Sequence, residues 1–251
     1  MLAAIWSEWI KSRRTAVMWM TLLAPVVCAA VAVLYVHAHG VSRTTWRDTI
    51  DVVNQVWSGL WLPLAAGLMA GLSAHMEADA GGWGALRARH VSPAHLYVAK
   101  LSVIAAYMGL STLWLVASST GMSALAGVVQ PIPWGALLAA VLANWCAVLP
   151  LLFASYWIAE AAGWSVPIAL GVMGMLIASV VGGTSVGNHT WMFIPWSWPM
   201  RIFYEVYGWF APWTATPSFE NAAWNVWLAA IAIAAGLGWG GAHWFERREV
   251  D

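Results

Sequence analysis

The sequence predicts an all-α, polytopic membrane protein with six transmembrane helices. Three observations carry the prediction: about six long apolar stretches fill the chain, 61% of its 251 residues are hydrophobic against 9% charged, and only two lysines occur, Lys11 and Lys100, each just before such a stretch. An apolar run of about 18 or more residues can cross the hydrocarbon core of a bilayer. A mean hydropathy of +0.70 leaves little for a soluble surface. Six spans of about 20 residues use roughly half the length, so residues 1–251 are expected to form a single transmembrane domain.

The elements follow in order. Leu2, Ile5, Trp6, Trp9 and Ile10 recur at helical spacing while Ser7, Glu8 and Lys11 fall elsewhere on the wheel. That pattern fits a short helix lying in the membrane interface, or a frayed tail anchored by two tryptophans. Glu8, Lys11, Arg13 and Arg14 precede the first apolar run with no small-residue cleavage pattern after it, so that run is expected to remain as a span rather than be removed as a signal peptide. Spans are placed at about 15–37, 54–75, 99–127, 136–159, 166–184 and 223–245. The polar segment 39–53, with Arg43, Trp46, Arg47, Asp48 and Asp51, is expected to extend the second helix outward.

Alternation puts both termini, the 76–98 loop and the 160–165 turn on one side. That side carries Lys11, Arg13, Arg14, Arg87, Arg89, Lys100, Arg247 and Arg248, and the other only Arg43, Arg47 and Arg201. The excess of Lys and Arg makes it the cytoplasmic side. On the opposite side, residues 187–221 carry Trp191, Trp196, Trp198, Tyr204, Tyr207, Trp209 and Trp213. Such amphipathic rings favour the headgroup level, so the segment is expected to lie on or dip into the outer leaflet, with Arg201 and Glu205 spaced to pair at i, i+4. Gly67 and Gly71, and again Gly236 and Gly240, have the GxxxG spacing that lets helices approach closely. Pro25, Pro63, Pro150 and Pro167 are expected to kink their spans.

Chemistry is sparse. Cys28 and Cys146 belong to no metal-ligand spacing, and no metal site is predicted. Ala242-His243 lacks the Gly-x-Ser-Gly nucleophile that an intramembrane protease would need. His37, His75 and His243 lie at membrane boundaries. No span has an acidic residue at its centre, which argues against a self-sufficient ion-coupled transporter. Asn144, deep in the fourth span, either bonds a neighbouring helix or touches a substrate. Neither lysine follows a glycine, so no Walker A loop is present, and any ATP must be hydrolysed on another polypeptide.

The most specific stretch is residues 75–101, HMEADAGGWGALRARHVSPAHLYVAKL. Acidic Glu77 and Asp79 come first, Gly81-Gly82 turns the chain, and a short amphipathic piece holds Trp83, Leu86, Arg87 and Arg89. Ser92 is a predicted N-cap with Pro93 at the first helical position. This stretch, with Ser7-Glu8-Trp9 before Lys11 and the Pro-Trp-Ser-Trp-Pro run at 195–199, resembles the ABC-2-type permeases, and within them the lantibiotic-immunity branch often called the MutE/EpiE family.

The resemblance implies an N-terminal elbow helix, a coupling helix in the loop after the second span, and re-entrant outer helices before the last span. It implies a permease subunit, not itself an enzyme, in the plasma membrane of a bacterium. This subunit would pair with an identical or homologous permease and two ATP-binding subunits that hold the ATP and Mg. Carried over residue by residue, Glu77, Asp79, Gly81, Gly82, Trp83, Arg87 and Arg89 would contact the ATP-binding subunit, with Glu8 and Lys11 beside them. The implied activity is removal of amphipathic antimicrobial peptides from the membrane, with Trp196, Trp198 and Asn144 as substrate contacts. Export of another drug, lipid or natural product, or a non-transporting anchor or sensor, are the alternatives.

Overall fold

The computed structural model describes residues 1–38, 46–79, 92–127, 132–210 and 223–247. Hydrocarbon offers no water to backbone polar groups, so each apolar run must satisfy its own N–H and C=O as a helix. In chain order these are α1 (Leu2–Ser12), α2 (Ala16–Ala38), α3 (Trp46–Asn54), α4 (Leu62–Asp79), α5 (Pro93–Leu125), α6 (Trp134–Ala162), α7 (Ser165–Ile177), α8 (Trp198–Phe210) and α9 (Ala223–Arg247). A π-helical stretch, Gln55–Trp61, joins α3 to α4, and a second, Ala178–Gly182, extends α7. Among the described residues six helices are long and apolar enough to cross a membrane: Ala16–Ala38, Asp48–Asp79, Pro93–Leu125, Trp134–Ala162, Ser165–Gly182 and Trp224–Arg247. Their number and order are those expected, and the second is prolonged outward through the polar segment as its composition suggested. Ser92 caps α5, its side chain accepting from the His95 N–H, with Pro93 at the first helical position.

At Pro25 a neighbouring helix replaces the bond that the proline removes. Pro25 leaves the Thr21 carbonyl without its intrahelical donor, and Ser111 Oγ of α5 donates to it at 3.1 Å. One residue on, Trp114 Nε1 donates to Leu22 O at 3.1 Å. Pro63 likewise withholds a donor from Gly59 O, and Ser179 Oγ, which donates to Met175 O at 2.8 Å, lies 3.4 Å from that carbonyl. Pro167 sits in the first turn of α7, where no intrahelical donor is lost.

Two of the four GxxxG glycines mark a helix contact within the chain. A Cβ at Gly67 would stand 2.2 Å from the Pro167 carbonyl oxygen and one at Gly71 2.5 Å from that of Trp164, so α4 and α7 meet backbone to backbone. Gly236 and Gly240 differ: a Cβ at either would meet nothing within 4 Å. The tight position on α9 is Gly241, whose Cβ would lie 2.4 Å from the Tyr97 hydroxyl. One residue turns a helix by about 100°, so the expected pair faces away from the contact that its neighbour makes.

The aromatic segment dips into the bundle. Three 3₁₀ turns, Ser185–Gly187, Trp191–Phe193 and Pro195–Ser197, lead into α8, which packs chiefly on α6 and buries every residue from 198 to 207. Irregular backbone at this depth is tolerated because protein encloses it. Its fastenings are polar. Asn54 Nδ2 donates to Met200 O at 3.2 Å, and Asn144 Nδ2 donates to Pro199 O at 2.9 Å and to Ser58 Oγ at 2.7 Å. Ser58 Oγ in turn donates to Asn54 Oδ1 at 2.6 Å. Arg201, fully buried, donates to Val181 O at 2.9 Å, Thr184 O at 2.6 Å and Asn188 Oδ1 at 3.1 Å, tying α8 to the end of the second π stretch. Glu205 is buried one turn beyond it. Tyr204 donates to the Asp51 carboxylate, which fixes α8 to α3.

Candidate functional site

At the opposite end, four ionisable side chains from three helices share one site. α1 exposes Leu2, Trp6 and Ile10 and turns Glu8 and Ser12 inward, so its apolar stripe faces outward and its polar face enters the protein. Trp9 stacks flat on Tyr107 of α5 at 4.5 Å between ring centres, which sets α1 against that helix. Lys11 Nζ then donates to Glu8 Oε1 at 2.6 Å and lies 3.5 Å from Glu77 Oε1. Lys100 Nζ donates to the same Glu77 oxygen and lies 3.3 Å from Glu8 Oε2. Each acid touches both bases and each base both acids, for a net charge of zero.

Burial decides how much these contacts matter. The Lys100, Glu77 and Glu8 side chains are 4%, 7% and 8% exposed, while Lys11 is 41% exposed. Exposed ion pairs contribute about 0–1 kcal/mol, but taking one partner from a buried pair costs about 3–5 kcal/mol because the other charge is stranded. Burial pulls the Lys11 ammonium down, but Glu8 and Glu77 outweigh that and hold its pKa above the ordinary lysine value. A cavity of about 230 Å³ lies against the four groups, closed by Ser73, Met76, Val103 and Ile104.

The connectivity gives the site its meaning. Glu77 lies in the last turn of α4 and Lys100 in the second turn of α5, so their ion pair ties the end of one helix to the start of the next. Glu8 brings α1 to the same point. The site therefore joins α1, α4 and α5 at one point.

Three residues of the sequence-predicted set, Glu8, Lys11 and Glu77, meet here. Asp79 points elsewhere: it is 69% exposed and lies 3.5 Å from His75 Nε2, whose ring stacks on Trp164. Gly81, Gly82, Trp83, Arg87 and Arg89 lie outside the described residues. Lys100 was not assigned to the set, although a signal existed. A lysine seven residues into a helix that begins at Pro93 sits about 10 Å along an apolar span, too deep to leave unpaired. The residues expected to touch substrate lie in the far half, two of them enclosed. Asn144 is 1% and Trp198 5% exposed, with the Trp198 indole donating to Met192 O. Trp196 is half-buried over Gly174, where a Cβ would stand 2.1 Å from its ring. In this conformation these three side chains hold α8 and α7 in place.

The model of the family described as ABC-2 family transporter protein matches residues 4–177, from α1 to the end of α7. The chain belongs to that family. No curated protein and no solved structure matches it. An ABC-2 permease is the membrane-spanning transport subunit that works with an ABC ATP-binding partner. The matched range contains all four members of the charged site and both ends of its loop.

Proposed function

We propose that this ABC-2 permease exports amphipathic antimicrobial peptides from the membrane of a producing bacterium, driven by two ATP-binding subunits and completed by a second, identical or homologous permease. The observation that carries the energy-coupling part is the charged quartet, which joins both ends of the 80–91 loop to the elbow helix α1. The ATP-binding subunit docks on that loop, with Gly81, Gly82, Trp83, Arg87 and Arg89 at the contact and Glu77, Glu8 and Lys11 transmitting its movement. Both termini are cytoplasmic, because the basic residues divide eight to three in favour of that face. The peptide substrate rests on the family resemblance and on the tryptophan-rich half of the chain. Large rigid rings there offer apolar surface to an amphipathic ligand.

The test uses the reconstituted complex. Trp83→Ala removes an aromatic anchor of a kind often worth about 2 kcal/mol or more at an interface. It should weaken subunit association or abolish peptide-stimulated ATPase, and Glu77→Gln should uncouple without dissociating. Wild-type stimulation in both variants overturns the coupling assignment. Cells carrying the whole transporter should survive at least one member of a panel of amphipathic peptides better than cells without it. Absence of protection against every member, with ATPase stimulated by an unrelated lipid or drug, rejects the peptide and leaves the exporter.

A further inference from the structure

α8, which lies outside the six spans, carries Arg201 and Glu205 one turn apart, at a spacing that lets an arginine and a glutamate pair. In the structure Arg201 is engaged elsewhere. Its Nη2 donates to Val181 O at 2.9 Å and Thr184 O at 2.6 Å, and its Nη1 to Asn188 Oδ1 at 3.1 Å, so the guanidinium fastens α8 to residues 181–188. Glu205 is 8% exposed, and its Oε1 is buried with no hydrogen-bond partner among the described residues. A carboxylate in that position loses water and receives little in exchange, a cost that the group avoids by holding a proton. Burial pushes its pKa up to about 7 against the pull of Arg201. Among the described side chains on the elements packed around α8, other ionisable groups are few. The two π stretches and the turns 191–193 and 195–197 have none, α3 brings Asp48 and Asp51, the latter bonded by Tyr204, and His189 follows Asn188. On α8 itself Tyr207 stacks on Phe203. α6 brings Cys146 in its first half, while its Tyr156 and Glu160, like His243, Glu246 and Arg247 of α9, belong to the end where Tyr97 packs on Tyr156 and Phe245.

We infer that Glu205 is a proton-binding site that decides which partner Arg201 holds: protonated, it leaves Arg201 on residues 181–188, and ionised, it draws the guanidinium onto itself and unfastens α8 from that segment. Three observations select this reading. The two side chains sit at i, i+4 on one helix, so Arg201 reaches Glu205 by turning its own side chain. The present partners of Arg201 are two carbonyls and an amide, all neutral, and a hydrogen bond to an ionised acceptor is roughly twice as strong as one to a neutral acceptor, which sets the two arrangements in competition. The segment released is short and irregular, a 3₁₀ turn at Ser185–Gly187 with Val186 73% exposed, so it parts from α8 without opening the core. On ionisation the proton passes to water, and Arg201 keeps its charge throughout. Since the fastened state binds the proton more tightly than the released one, fastening is strongest at low pH and weakens as pH rises toward 7. The inference is independent of the export reading, since its test involves neither ATP nor substrate.

The full chain, purified in mild detergent, is titrated from about pH 5 to about pH 9 by infrared difference spectroscopy. A carboxylic acid C=O band present in the wild type and absent from Glu205→Gln should disappear with a midpoint near pH 7. Asn188→Ala takes one acceptor from Arg201 and should move that midpoint down by up to about one pH unit. An acid that was merely buried would not respond to Asn188. Amide exchange over residues 181–188, corrected for its intrinsic pH dependence, should rise roughly ten-fold between about pH 6 and about pH 8 in the wild type and stay level in Glu205→Gln. Absence of the band from the wild type, a midpoint unmoved by Asn188→Ala, or exchange that rises equally in Glu205→Gln overturns the assignment. Should Glu205→Gln fail to fold, the shift in Asn188→Ala decides alone.

Discussion

At one end four ionisable side chains share one site, Glu8 and Glu77 alternating with Lys11 and Lys100, whereas at the far end, beside the buried Arg201 and the Tyr204–Asp51 bond, α8 hangs on a network of amides, hydroxyls and backbone carbonyls around Asn54, Ser58 and Asn144. Both ends join helices distant in sequence. They differ in how they fail. In the quartet every member neutralises two others, so loss of one leaves a net charge in a place with little water. In the amide network loss of one member removes its own bonds and leaves neutral groups behind. The ionic quartet is all-or-none, and the amide network is graded, which suits a fixed support.

That comparison breaks most sharply at Lys100. Lys100→Met should destabilise the purified protein by about 3–5 kcal/mol, read as a lowered unfolding midpoint in detergent, and Glu77→Met added to it should restore part of the loss. A double variant no better than the single would show that pairing is not what the site supplies. Next in size comes backbone contact in the middle of the bundle. Gly67→Ala should cost about 1–3 kcal/mol because its Cβ meets a carbonyl oxygen that cannot swing away, while Gly236→Ala should stay within about 0.5 kcal/mol. Asn144→Ala tests the amide network and should cost about 1 kcal/mol for each of its two bonds, with no dependence on salt. The smallest effect belongs to Lys11. Its pKa is raised above 10.5, so its stabilisation is complete below that pH and disappears as pH rises through the folded value. The difference in unfolding midpoint between wild type and Lys11→Gln should therefore be flat up to about pH 10 and shrink above it. Water around the half-exposed ammonium keeps the amplitude low.

The spans were legible because length and apolarity alone define them, and Ser92 with Pro93 marked the start of α5 through local chemistry that needs no tertiary context. What periodicity could not supply was facing. Spans that are apolar on all sides carry no sign of which residues meet, so GxxxG at 236 and 240 and GxxxG at 67 and 71 read alike, although only the second pair touches another helix within the chain. Glu8, Lys11 and Glu77 were chosen as a docking surface, and the structure brings them together around a lysine whose depth in α5 was the available clue. For Trp198 and Asn144 the sequence left two roles open, because aromatic rings and amides at a membrane face serve ligands as readily as they serve a neighbouring helix, and the structure adds that both are buried with hydrogen bonds inside the chain.

The bond from Ser111 to the carbonyl that Pro25 releases has a mechanical consequence. Thr21 O has no donor within its own helix and takes Ser111 in its place, while Trp114 holds the next carbonyl. Sliding α2 along α5 by one turn, 5.4 Å, would carry Ser111 away from the single position on α2 where a vacant acceptor waits. Translation between these helices is thus indexed like a key in a keyway, whereas rocking about the keyed point strains neither bond. α1, stacked on α5 through Trp9 and joined to α2 by residues 13–15, ties the same two helices a second time.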